Sequence, residues 1–186
     1  MPEGPPIAGL QRYEYVGSPE IRDAVASAGS GRAILAAIDV AEWLGGLPAR
    51  DRSQPHTFVV DVTGVLRVAA RRSEHVACAG GEPVLSAGEI TFTRHDQGWL
   101  VSEVTNQSTG YCPRVSSWTA VAAACERAGL DDPGGFTTAF EFRHCPECQQ
   151  INIVKDEDFT CLACGVGLPA EWNFTGRPDF PAPRGT

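Results

Sequence analysis

Hydrophobic positions follow a helical period near both ends of the chain and a two-residue period between them. Ser18-Pro19 sets a capping residue ahead of a proline and predicts a short helix over 19–27. In "RAILAAIDVAEWL" (32–44), Ile34, Leu35, Ile38, Ala41 and Leu44 fall near one face of a second helix, ended by Gly45-Gly46. The period then shortens. "TFVVDV" (57–62), a Thr-Gly turn and "VLRVAA" (65–70) predict a β-hairpin. "EITFT" (89–93), the turn "RHDQG" and "WLVSEVT" (99–105) predict another. Trp118, Val121, Ala122 and Cys125 have the spacing of a buried helical stripe, with Ser117 as its cap and Gly129 as its end. "FTTAFEFR" (136–143) reads as a strand that delivers the chain to Cys145. The expected fold class is α+β, an antiparallel sheet with a few helices and a small C-terminal module.

Composition adds limits. Hydrophobic residues make up 42% of 186, enough for a buried core. No apolar run reaches the ~18 residues needed to span a bilayer, and "MPEGPPIAGLQRYEYVG" lacks the basic start and apolar centre of a signal peptide. The expected compartment is therefore the cytoplasm. A net charge of −8 argues against sequence-independent nucleic-acid binding and against adhesion to anionic membranes. Lys155 is the single lysine beside fourteen arginines, which with the many Ala and Gly points to a GC-rich bacterial genome.

The seven cysteines carry the clearest chemistry. In a reducing compartment, paired cysteines indicate metal more often than disulfide. Cys145, Cys148, Cys161 and Cys164 form two Cys-x-x-Cys pairs with twelve residues between them. Four thiolates so spaced can surround one Zn²⁺ tetrahedrally. Gly165 suits the tight turn after the second pair, whereas Gln149 stands at the matching place after the first. "QINIVKDEDFT" between the pairs reads as strand, acidic turn and strand. Residues 141–170 thus resemble a zinc ribbon. Four cysteines close the coordination shell, so the expected role is structural, with a metal-binding free energy of about 10–16 kcal/mol available to folding. Zinc deaminases also use a Pro-Cys-x-x-Cys pair, but "HCPEC" has no proline before its first cysteine and His-x-Glu occurs nowhere. Over 141–171 two bases face six acids. A protein partner, or packing against the rest of the chain, fits this charge better than a phosphate backbone. The domain reading is a flexible N-terminus over 1–17, an α+β domain over 18–135, the ribbon over 136–174 and a disordered Pro-rich tail over 175–186.

"SEHVACAGGEPVLSAGEITF" (73–92) and "VTNQSTGYCPRVSSW" (104–118) mix glycines with reactive side chains between strands. Glu74, His75, Cys78, Glu89, Tyr111 and Cys112 are candidates to gather at one site, His75 as base with Tyr111 or Cys112 as partner. The structural alternative makes the cysteines small core residues, the glycines turns, and Asn106 and Ser108 turn caps. "ACAGG" (77–81), "SAGEI" (86–90) and "STGYCP" (108–113) resemble a domain found in plant IQ-motif-containing proteins and in some bacterial Rhs-type effectors. The resemblance covers residues 55–130 and implies a shared shape with a candidate ligand face. Glu74 stands at that family's first histidine position, with His75 beside it, and Gly110 at its second, while Tyr111 and Pro113 are kept. No IQ motif is present, so calmodulin binding is not implied.

Two functional classes follow. One is a zinc-binding module that engages a protein partner or a small-molecule ligand. The other is a transferase, ADP-ribosyltransferase-like or otherwise nucleotide-handling, with catalytic candidates His75, Glu74, Tyr111 and Cys112 between segments 73–81 and 106–113.

Overall fold

The structure, a computed structural model, describes residues 9–25, 29–96 and 98–174. The expected tail over 175–186 and the first eight residues lie outside them. In chain order the elements are α1 (Pro19–Val25), β1 (Arg32–Ile34), α2 (Ala37–Gly45), β2 (His56–Asp61), β3 (Leu66–Ala69), α3 (His75–Cys78), β4 (Val84–His95), β5 (Gly98–Val104), α4 (Trp118–Ala128), β6 (Glu141–His144) and β7 (Ile151–Val154). The first five strands form one sheet in the order β1-β3-β2-β4-β5, every neighbouring pair antiparallel. β6 and β7 form a separate two-stranded sheet. The α+β class and both predicted hairpins are as the sequence indicates.

β2 is the central strand, and both of its faces are covered. Phe58 and Val60 enter a core beneath α2 and α4, while Val59 faces a second cluster with Tyr13, Val76, Val84 and Tyr111. All three β2 residues are fully buried, which stabilises the fold by about 1.5–3 kcal/mol each. α4 turns its small residues Ala120, Ala124 and Ala128 to the sheet beside Val121 and Cys125. Gly129 ends the helix in the left-handed conformation, φ 63°, so that the Leu130 N–H reaches the Cys125 carbonyl. At Gly88 on β4, an added Cβ would lie 1.9 Å from the Thr105 carbonyl oxygen, so only glycine fits that approach of backbones.

Four expectations require correction. The helix expected over 32–44 is divided, because Arg32–Ile34 pairs with β3 as an edge strand. The helix proper starts at Ala37, where Asp39 Oδ2 accepts the N–H groups of Leu35 and Ala36 at 2.8 and 2.9 Å. Its buried residues are Val40 and Leu44; Leu35 and Ile38 are both 63% exposed. Ser117 stands at the N-cap of α4, which begins at Trp118 as expected, but its side chain does not cap the helix and meets the Ser86 hydroxyl at 3.0 Å, after a 3-10 turn over Val115–Ser117. The lead-in to Cys145 is strand only over Glu141–His144. Residues 13–16, assigned to a flexible segment, are bound in: the Tyr13 N–H donates to Val84 O, the Val16 N–H to Gly110 O, and both side chains are buried.

Among the described residues, no helix is long and apolar enough to cross a membrane.

Candidate metal centre

Each Cys-x-x-Cys pair folds back on itself through two backbone constraints. The Gln149 N–H donates to Cys145 O at 3.0 Å, and the Gly165 N–H to Cys161 O at 2.8 Å. Both closing residues are left-handed, φ 60° at Gln149 and 76° at Gly165. Glycine takes that conformation freely; glutamine accepts it at a cost of about 1 kcal/mol. β6 and β7 present the first pair and the 159–168 return presents the second, with Thr160 bridged to Gly167.

The four sulfurs converge. All lie within 4.8 Å of one another, with Cys145 to Cys164 and Cys148 to Cys161 both at 3.6 Å. A tetrahedral ion with metal–sulfur bonds of about 2.3 Å requires sulfurs about 3.8 Å apart, so this donor set fits a metal ion at its centre. None of the cysteines is in a disulfide. Cys145 and Cys161 are buried, while Cys148 and Cys164 face solvent. Burial opposes ionisation of Cys161, but the N–H groups of Cys164 and Ala163 and the neighbouring thiols outweigh it and hold this thiol below its usual range. That environment suits a thiolate ligand.

Asn152, on β7 between two isoleucines, joins the two halves. Its Nδ2 donates to Gln150 O at 2.8 Å and to Cys161 Sγ at 3.5 Å, and its Oδ1 accepts the Leu162 N–H at 3.1 Å. A polar residue in the period-two run "INIV" is the signal that could have singled it out. Arg143 is likewise internal: its guanidinium donates to Phe142 O, Pro169 O, Ala170 O and the Glu141 carboxylate, with the side chain 7% exposed. One of the two bases counted on this module is therefore consumed in its own fold, and Lys155 is left as its exposed cation.

The module is seated on the larger sheet domain. Phe142 packs with Val16 and Cys112, flanked by Phe140, Ile151, Ile153 and Phe174. The Trp172 indole donates to Cys112 O at 2.8 Å, and its ring meets Tyr13 edge-on at 5.8 Å. Asn106, fully buried, fastens the approach to β6. Its Nδ2 donates to Pro113 O and Phe140 O, and its Oδ1 accepts the Phe140 N–H.

His75, Cys78, Tyr111 and Cys112 are engaged within the fold. The Tyr111 hydroxyl donates to Glu82 O at 2.7 Å, and burial raises its pKa, helped by Tyr15, Cys78 and nearby acids. His75 lies at 3.0 Å from Gly88 O through Nε2, which must therefore carry the proton. Burial holds its ring below the usual histidine range against the pull of Gly88 O, Glu89 and Glu74. Cys78 shares a cluster with Tyr111, and burial pushes its thiol up to about 12. Cys112 sits in the other cluster, with Val16 and Phe142, its thiol also raised by burial. Glu74 is exposed at the start of α3. Tyr111 and Cys78 are thus brought together, and Cys112 is turned to the ribbon seam.

Comparison with family models, with curated proteins and with solved structures found no match to this chain, so the resemblance of residues 55–130 to the IQ-motif and Rhs-type domain gains no support there.

Proposed function

We propose that this protein is a non-catalytic binding module whose C-terminal ribbon is held by one structural zinc ion and docks to a protein partner in the cytoplasm. The convergence of four cysteine sulfurs within 4.8 Å carries the reading, because a tetrahedral ion is then fully satisfied by the chain and keeps no position for water. Cys145, Cys148, Cys161 and Cys164 supply the thiolates, which favour zinc among common divalent ions.

The partner's chemistry follows from the ribbon's surface. Asp156, Glu157 and Asp158 crown the turn after β7, Glu147 lies within the first knuckle, and a zinc tetrathiolate adds two negative charges. Leu162, 87% exposed on the second knuckle, offers an apolar contact within this acidic surface. These features support a partner segment that carries Lys or Arg around an apolar side chain.

Metal analysis of freshly purified protein should give one zinc per chain. Chelation should then lower the thermal midpoint and change the fluorescence of Trp172, which lies in the seam between ribbon and sheet domain. Unchanged melting and fluorescence after complete metal removal would refute the structural role.

A further inference from the structure

A second site lies in the five-stranded domain, where β2 begins and β3 ends. The Thr57–Ala69 register brings the Ala70–Ser73 turn beside Gln54 and His56. Behind them the chain passes from α2 through a 3-10 turn over Ala49–Asp51. Together these segments line an open cavity of about 390 Å³, with Arg50, Asp51, Gln54, His56, Arg71 and Arg72 in its wall and Arg50 at 3.7 Å from the Asp51 carboxylate. Three arginines face one aspartate in a protein whose net charge is −8.

Two features of this cavity are costly without a ligand. His56 is 1% exposed, yet neither ring nitrogen makes a well-formed hydrogen bond, although the Arg52 carbonyl lies nearby. A neutral imidazole carries one donor and one acceptor, and burying them unpaired is unfavourable. The Trp43 ring stands edge-on to His56 at 6.0 Å, and its buried indole N–H is also unpaired. The second feature is Arg72. The Ser73 N–H donates to Ala70 O at 3.0 Å, which closes a turn with Arg72 at its third position and φ 72°. That position favours glycine, and a long side chain there is strained.

We propose that this cavity binds a small molecule carrying a phosphate group. Arg50 and Arg72 reach the phosphate from the rim. Their planar guanidinium groups match its oxygens in paired hydrogen bonds. Arg71, which donates to Gln54 Oε1, supplies further charge. His56 completes its hydrogen bonding on the bound molecule. Burial holds the His56 ring in its neutral form despite the nearby Arg52 carbonyl and Asp51 carboxylate, so it can accept as well as donate. The volume admits a phosphate with a compact body and suits a discrete ligand. The site stands apart from the zinc ribbon and does not depend on the reading of that module.

The test is calorimetric titration of the metal-loaded full chain with inorganic phosphate, adenosine 5′-monophosphate and malonate, with the His56 ring followed by NMR. Saturable binding of a phosphate-bearing probe, with movement of the His56 ring signals, is expected. Arg72→Gly is the decisive variant. It should weaken binding by about tenfold, roughly 1.4 kcal/mol, while the thermal midpoint stays the same or rises, because glycine relieves the turn. Arg50→Gln should also weaken binding, and Arg94→Gln, on β4 outside the cavity wall, should leave it unchanged. The proposal is overturned if no phosphate probe binds, if malonate binds in their place, if Arg72→Gly keeps full affinity, or if Arg94→Gln weakens binding as much as the cavity variants.

Discussion

Asn106→Ala would remove one side chain and uncouple two parts of the molecule. The amide makes three hydrogen bonds, at 2.9 Å to Pro113 O, 2.8 Å to Phe140 O and 2.7 Å from the Phe140 N–H. Asn106 is 0% exposed, so water cannot replace these bonds without opening the structure. Alanine leaves one donor and two acceptors unpaired, those of Phe140 partly buried and that of Pro113 buried. At about 1–3 kcal/mol for each orphaned group, less where a carbonyl relaxes toward another donor, the expected loss is about 3–5 kcal/mol. For a chain of this length, each kcal/mol corresponds to about 2–4 °C, which gives a fall of about 6–20 °C in the midpoint. The assay is thermal unfolding followed by circular dichroism on the metal-loaded protein, with zinc content measured alongside. Zinc should still bind, because the cysteines are untouched. A fall below about 3 °C would refute the reasoning and leave apolar packing of Phe140 and Phe142 as the main attachment.

Three further outcomes follow from the same structure. Gly88→Ala drives a Cβ to 1.9 Å from a backbone oxygen, so the variant should fail to accumulate as folded protein, which soluble yield and circular dichroism will show. Burial opposes ionisation of Asp61, but hydrogen bonds from Thr63, Val65 and Arg67 prevail and keep its carboxyl below the ordinary range. Its stabilisation is therefore complete above the unfolded value of about 3.9 and is lost as pH falls through the lower folded value. Asp61→Asn should accordingly melt earlier than the parent at neutral pH, by about 2 kcal/mol, and match it at the acid end. Gln149→Gly removes left-handed strain at φ 60° and should raise the metal-loaded midpoint by about 1–3 °C; a clear fall would show that the glutamine side chain stabilises the knuckle.

The cluster of four cysteines was legible because its chemistry is written locally, as two short motifs at hairpin spacing. The two hairpins were legible for the same reason. The error over 32–44 came from apolar residues that satisfy two periods at once. Ile34 is buried because it pairs opposite Leu66, a partner the local sequence does not reveal. Asn106 looked like a turn cap, and its actual partners lie up to 34 residues away. His56 drew no attention in "SQPHTF", since the arginines that surround it are supplied partly by the turn after β3. Long-range pairing creates such a site, and no window of sequence contains it.

The contact between Tyr13 and Trp172 also sets an order of events during synthesis. Val84 can receive Tyr13 once the start of β4 has emerged, but the indole that covers the Tyr13 ring is made about 160 residues after the tyrosine, some 8–30 s later at ordinary elongation rates. Through that interval the Tyr13 ring and the Cys112 carbonyl wait for the same late residue. The nascent sheet therefore remains unsealed on that side until Trp172, which follows the second knuckle, has left the ribosome, so the ribbon and the sheet face are completed together.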